Sequence, residues 1–282
     1  MKFGVNTFIW SENFGHATLP LLTTLRDHGF DGVELPLLDP KAALDLEVRR
    51  AVEQNKLQCT FCSVFVPGRS FIDDDASVRH KTVEHMRACI RTAAEMGGEM
   101  VAGPLYSPVG WLPGRRRTDE EWKREVDCLQ QLTPDLDDAG VRLAIEPLNR
   151  FETHFLNTIA DSVALCRSVG HARVGILLDT FHTNIEEKHL GGACREAGGL
   201  LFHVHASEND RGIPGTGHVE WDQLFTALHG MKYQGWVNIE SFSFAGGELP
   251  RLVCIWRDLA HSPEAVAFEG VRFLRSAAKL ST

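Results

Sequence analysis

Residues 142–154 read RLAIEPLNRFETH. The run opens as an apolar strand, Leu143 to Ile145, and then carries two acids, Glu146 and Glu152. A carboxylate at the end of a buried strand is costly unless a cation, a mobile proton or an ion pair compensates it. Three further apolar runs end in a polar, metal-competent residue. VGILLDT from Val174 carries Asp179, LFHVHAS from Leu201 carries His205, and WVNIESF from Trp236 carries Glu240. Upstream lie FGVNTF from Phe3, DGVELPL from Asp31, QCTFCSVF from Gln58 and MVAGPLY from Met100, which brings the strand-like runs to eight.

Segments of helical periodicity separate the runs, among them TLPLLTTLRDHG, ASVRHKTVEHMRACIRTAAEMG and EEWKREVDCLQQLTPDLDDAG. Gly29, Gly97, Gly140 and Gly170 stand where a left-handed residue closes a helix, and Asn157 and Thr158 are cap-type residues opening NTIADSVALCRSVG. Strand alternating with helix implies a parallel sheet, and eight repeats predict closure into a (β/α)8 TIM barrel. An open doubly wound sheet would show a Gly-rich turn after the first strand, and FIWSENFG is not one. No linker or low-complexity segment interrupts the chain, so residues 1–282 are read as a single domain.

The formal charge of −9 sets the chain against a nucleic-acid backbone. Arg115–Arg117 is read as a solvated loop or helix start. No stretch has the length of a membrane span, and the N-terminus lacks the unbroken apolar core of a signal peptide. Seven cysteines without patterned spacing suit a reducing cytoplasm. Cys59 and Cys62 sit three apart on one strand and therefore point to opposite faces, which reads as core.

Period-two alternation divides each late strand into two sets. Leu143 and Ile145, Ile176 and Leu178, Phe202 and Val204, Val237 and Ile239 should face the helices. Ala144 and Glu146, Leu177 and Asp179, His203 and His205, Asn238 and Glu240 should face the barrel axis. Barrel enzymes carry their chemistry at the C-terminal ends of the strands, so Glu146, Asp179, His205 and Glu240 are expected to converge there. Three carboxylates cannot stay ionised side by side without a counter-charge, and a divalent cation supplies one. Oxygen donors with one imidazole favour Mn²⁺, Co²⁺ or Mg²⁺; a zinc ion stays open, a tetrahedral thiolate site does not. His203 lies one layer deeper and is read as a hydrogen-bonded supporting histidine.

IEPLNRFETHFLNT, LLDTFHTNIEE, HVHASENDRGIPGTG and NIESF resemble the matching segments of the ketose 3-epimerases, the D-tagatose and D-allulose (psicose) 3-epimerases of the xylose-isomerase-like barrel superfamily. The likeness runs over nearly the whole chain and is strongest from Arg142 to Phe242. It implies Glu146, Asp179, His205 and Glu240 as ligands of a manganese- or cobalt-type ion, with Glu146 and Glu240 doubling as the acid/base pair. It also implies that Glu152, His182 and Arg211 bind substrate hydroxyls, that the substrate is a small ketose, and that the chain assembles as a homodimer or homotetramer. The expected reaction inverts C3 through an enediolate, one glutamate on each face of the carbon. Asn6, and Pro104 and Pro108 in AGPLYSPVGW, depart from the pattern and are expected at the sugar end remote from the metal.

Glu34 is expected to meet a supporting histidine or the sugar, Asp73–Asp75 to cap a helix, and Pro214–Gly217 to form a turn. Phe8, Trp10 and Trp111 are candidates for an apolar wall against sugar carbons. Three competing readings are an aldose–ketose isomerase of the hydroxypyruvate-isomerase type or a related enediolate reaction on an oxidised sugar, a DNA-repair endonuclease, and a sugar-binding or scaffold barrel. The charge opposes the endonuclease, and the ionisable pair Glu146 and Glu240 opposes the non-enzymatic barrel.

Overall fold

The computed structural model describes residues 1–243 and 249–281. Eight parallel strands close in chain order into a barrel: β1 (Lys2–Asn6), β2 (Gly32–Pro36), β3 (Gln58–Cys62), β4 (Met100–Gly103), β5 (Arg142–Ile145), β6 (Val174–Asp179), β7 (Leu201–Ala206) and β8 (Trp236–Ile239). β8 returns to pair with β1, which leaves no sheet edge to protect.

The intervening helices start and stop where local chemistry directs. Asp75 accepts the N–H of Ser77 at 2.7 Å and caps Ala76–Glu95. Thr118 and Glu121 form a reciprocal capping box at the head of Asp119–Ala139, and Gly140 closes that helix at φ +69°. Arg115 meets the buried Glu121 carboxylate at 2.7 Å, and Arg117 meets Asp161 at 2.8 Å, so two of the three arginines knit helix heads together. Ile159–Val169 runs between Thr158 and Gly170.

Parity sorts the side chains into two cores. Leu143, Ile145, Ile176, Leu178, Val204, Val237 and Ile239 join the large apolar layer between sheet and helices. Met100, Ala102, Ala144, Leu177 and Trp236 form a separate cluster that plugs the barrel floor. Trp236 fits because Gly32 faces it: a Cβ there would lie 2.5 Å from the indole. One expectation fails. Phe202 packs against the floor cluster instead of the helix layer, because the β6–β7 register shifts between Ile176 and Leu177. That irregularity makes residue 202 supernumerary, and its ring lies where Gly175 leaves room.

Cys59 directs its Sγ to the carbonyl of Met96, while Cys62 lines the cavity at the barrel mouth, so the pair does point to opposite faces. All seven cysteines are free. Among the described residues no helix is long and apolar enough to cross a membrane.

Candidate metal centre and active site

Glu146, Asp179, His205 and Glu240 are all buried, and each offers a ligand atom within 4.8 Å of the others. Strand register produces the meeting. Asp179 pairs with His205 across β6 and β7, His205 pairs with Asn238 across β7 and β8, and Glu146 and Glu240 are the residues next after β5 and β8. All four share the inward parity at the C-terminal ends of their strands, and their ligand atoms meet there.

Below them lies a second polar layer. Glu34 Oε1 is 2.6 Å from Nε2 of His205, and Glu34 Oε2 is 2.8 Å from Nε2 of His203. Thr60 and Asn6 also donate to this carboxylate, at 2.9 and 3.1 Å. Burial acts to raise the Glu34 pKa, yet the two histidines hold it well below the ordinary value. His203 thus occupies the deeper, supporting place expected of it, and of the two contacts expected for Glu34 the structure shows the one with the supporting histidine. Asn6 does not lie at the remote end of the site. It is wholly buried beneath the carboxylates, donating to Glu34 and, at 3.4 Å, to Glu240.

The donor set suits a divalent cation on one specific ground. Glu34 occupies Nε2 of His205, so Nδ1 is the nitrogen turned toward the other carboxylates. That Nδ1 is buried without a hydrogen-bond partner, although a Glu240 oxygen stands 3.2 Å away. Burial acts to lower the His205 pKa, yet Glu240 and Glu34 hold it well above the ordinary value, so the space beside Nδ1 favours a positive charge, a proton in the bare site and a divalent cation in the loaded one.

Arg211 supplies the positive charge inside the cluster. It projects from the loop after β7 with φ +64°, and Nη1 lies 2.7 Å from Asp179 Oδ2 and 2.6 Å from Glu240 Oε2. Its guanidinium carbon stands 4.2 Å from the ring centre of Phe181. His182 receives the backbone N–H of Asn149 on Nδ1 at 3.1 Å, and its Nε2 lies 3.1 Å from the Arg211 guanidinium and 3.6 Å from Glu146 Oε1. Burial, foremost, depresses the His182 pKa to about 3. Glu152 accepts from Asn149 Nδ2 at 2.8 Å, and burial raises its carboxyl pKa.

The two outer glutamates differ in environment. Burial and then the charge of Glu240 push Glu146 well above the carboxylate range. Glu240 is lowered to about 2, because His205 and Arg211 outweigh the upward push of burial.

A cavity opens over these groups. Glu146, Glu152, His182, Arg211 and Glu240 line its polar side; Phe8, Val64, Val66, Val109, Leu148 and Phe242 line the other. Pro104 joins the wall, whereas Pro108 and Trp111 line a neighbouring groove. Trp10 lies outside the lining and donates its indole N–H to Glu264 at 2.9 Å. Val64, Val66, Leu252 and Val253 are wall residues that strand parity does not reach, since they lie outside the strands.

Residues 22–277 match the xylose isomerase-like TIM barrel family. A Synechocystis protein named "Probable ketose 3-epimerase" is 35% identical over 280 residues, spanning 98% of this chain and 96% of the relative. The chain belongs to the ketose 3-epimerase branch of that family. The D-psicose 3-epimerase of Agrobacterium fabrum is 31% identical, over 92% of this chain and 91% of its own. The crystal structure of a Methylomonas D-allulose 3-epimerase in complex with D-allulose superposes with a TM-score of 0.92 at 27% identity, covering 98% of this chain and 97% of the other. Membership makes the chain an enzyme of the isomerase class.

Proposed function

We propose that the chain is a divalent-metal-dependent ketose 3-epimerase acting on free ketoses of the D-tagatose, D-allulose and L-ribulose type. The observation that carries this reading is the placement of Glu146 and Glu240, from strands three apart in the barrel order, at one cavity with Asp179 and His205 beside them. Relatives bearing the names ketose 3-epimerase, D-psicose 3-epimerase and L-ribulose 3-epimerase support it.

Glu146, Asp179, His205 and Glu240 are the residues that would hold the ion, Mn²⁺ in the first place and Co²⁺ or Mg²⁺ as alternatives. When bound, such an ion supplies Lewis-acid polarisation of the ketose carbonyl. One of Glu146 and Glu240 takes the C3 proton from one face, leaving an enediolate. The other delivers a proton to the opposite face, which inverts the carbon. Glu152, His182 and Arg211 orient the hydroxyls, and the apolar wall around Phe8 and Phe242 excludes water from the sugar carbons. Assembly into a homodimer or homotetramer belongs to the same reading.

The test is a panel of free keto-sugars incubated with metal-stripped and Mn²⁺-restored protein in D₂O, with products resolved by chromatography. Deuterium at C3 of a 3-epimer, dependent on restored metal, is the expected result. Label at C1 or C2 without label at C3 would move the chain to aldose–ketose isomerisation.

A further inference from the structure

We propose that Glu208 is the positioning residue for Arg211: its carboxylate organises the loop from which the guanidinium enters the active site. The inference rests on the reading of Arg211 as a ketose contact and extends it to a residue that touches no substrate.

Glu208 lies in the loop between β7 and the helix Trp221–Gly230 and has no exposed surface. Four N–H groups fill its acceptor positions. Oε1 accepts from the backbone of Asn209 and of Val219, each at 3.1 Å. Oε2 accepts from the backbone of Gly215 at 2.7 Å and from the indole of Trp221 at 3.1 Å. The donors span both ends and the middle of the loop, so one side chain sets its path.

The PGTG turn is shaped to this carboxylate. A Cβ on Gly217 would lie 2.0 Å from Asn209 Oδ1 and 2.7 Å from Glu208 Oε1, and Gly215 adopts φ +93°. Backbone N–H groups gathered round an anion are the pattern of a phosphate nest. Here the anion is internal, and the turn is already filled.

Arg211 sits inside the same loop in the left-handed region, an unfavourable conformation for a residue with a Cβ. Such a conformation persists only where its surroundings over-determine it. The Arg211 N–H donates to the Glu208 carbonyl at 2.9 Å, and Ser241 Oγ donates to the Arg211 carbonyl at 2.5 Å. Glu208 therefore holds Arg211 twice, through its own backbone and through the loop its carboxylate closes. Loosening the loop allows Arg211 to relax its φ, and the guanidinium then leaves Asp179 and Glu240.

Glu208→Gln keeps the shape but sets an NH₂ against N–H donors that the carboxylate accepts. In metal-free crystals of this variant, Arg211 Nη1 is expected out of hydrogen-bond distance of Asp179 and Glu240. The ketose KM should rise roughly tenfold, in proportion to a lost charge-assisted contact, with a smaller change in kcat. Combining Glu208→Gln with Arg211→Lys should cost less in kcat/KM than the two separate losses multiplied. Trp221→Phe, which removes one donor and leaves the carboxylate, should raise KM in the same direction by less, and it carries the test should Glu208→Gln not fold. An unmoved Arg211, or a lower Tm with KM and kcat unchanged, overturns the proposal. A wild-type chain that turns over no ketose sinks the epimerase reading instead, and the crystallographic comparison still decides the role of Glu208.

Discussion

Glu34 Oε1 stands 2.6 Å from Nε2 of His205, and this contact decides which imidazole nitrogen faces the carboxylates. The same carboxylate accepts from His203 through its other oxygen. A glutamine at position 34 can accept from only one of the two histidines. Glu34→Gln should therefore weaken Mn²⁺ binding by about 10- to 100-fold, the usual cost of losing the outer partner of a ligating histidine. Calorimetric titration of the metal-stripped variant reads this directly; an affinity equal to wild type would remove the pairing from the account.

Replacing either outer glutamate should stop proton transfer. Glu146→Gln and Glu240→Gln are each expected to lower kcat by at least about 100-fold, the scale of general acid–base catalysis. Metal content must be measured alongside, since both residues are proposed ligands. A double variant with near wild-type deuterium uptake at C3 would contradict the assignment.

Glu152 lines the polar side of the cavity and accepts from Asn149, but it lies outside the four-residue cluster. Glu152→Gln should mainly raise the ketose KM, with Mn²⁺ affinity unchanged. A fall in kcat equal to that of Glu146→Gln would give Glu152 a chemical role instead.

Glu125 tests the fold rather than the site. It is wholly buried in the helix Asp119–Ala139, and neither carboxylate oxygen has a hydrogen-bond partner. Burial pushes its carboxyl well above the ordinary value of 4.5. The folded chain keeps a proton that the unfolded chain releases, so the favourable contribution is present at low pH and is lost as pH rises. The loss begins near 4.5 and proceeds at up to about 1.4 kcal/mol per pH unit until the folded value is passed. Glu125→Gln removes that slope. Urea denaturation should find the variant more stable than wild type at about pH 8 and matched to it at about pH 4; equal curves at both would show that Glu125 is not buried as a neutral acid.

Much of the site was legible because strand geometry is periodic. Glu146, Asp179, His205 and Glu240 share the inward parity of their strands, and the end of an apolar run marks depth without any structure. Asn6 shows where this stops. Its parity is inward, but its place beneath Glu240 follows from the closure of β8 onto β1, a contact between residues 234 positions apart. Phe202 was misplaced for a related reason, since a register shift between two strands leaves no mark on either one alone.

The amino-acid order by itself determined the eight strands, the helices between them and the four strand-end side chains, because those features repeat over a few residues and depend on local burial. Tertiary structure alone decided which nitrogen of His205 turns to the carboxylates, where Asn6 and Phe202 lie, and how Glu208 gathers the loop of Arg211. Each of these rests on hydrogen bonds or packing between elements distant in the chain, and no local pattern encodes such a partner.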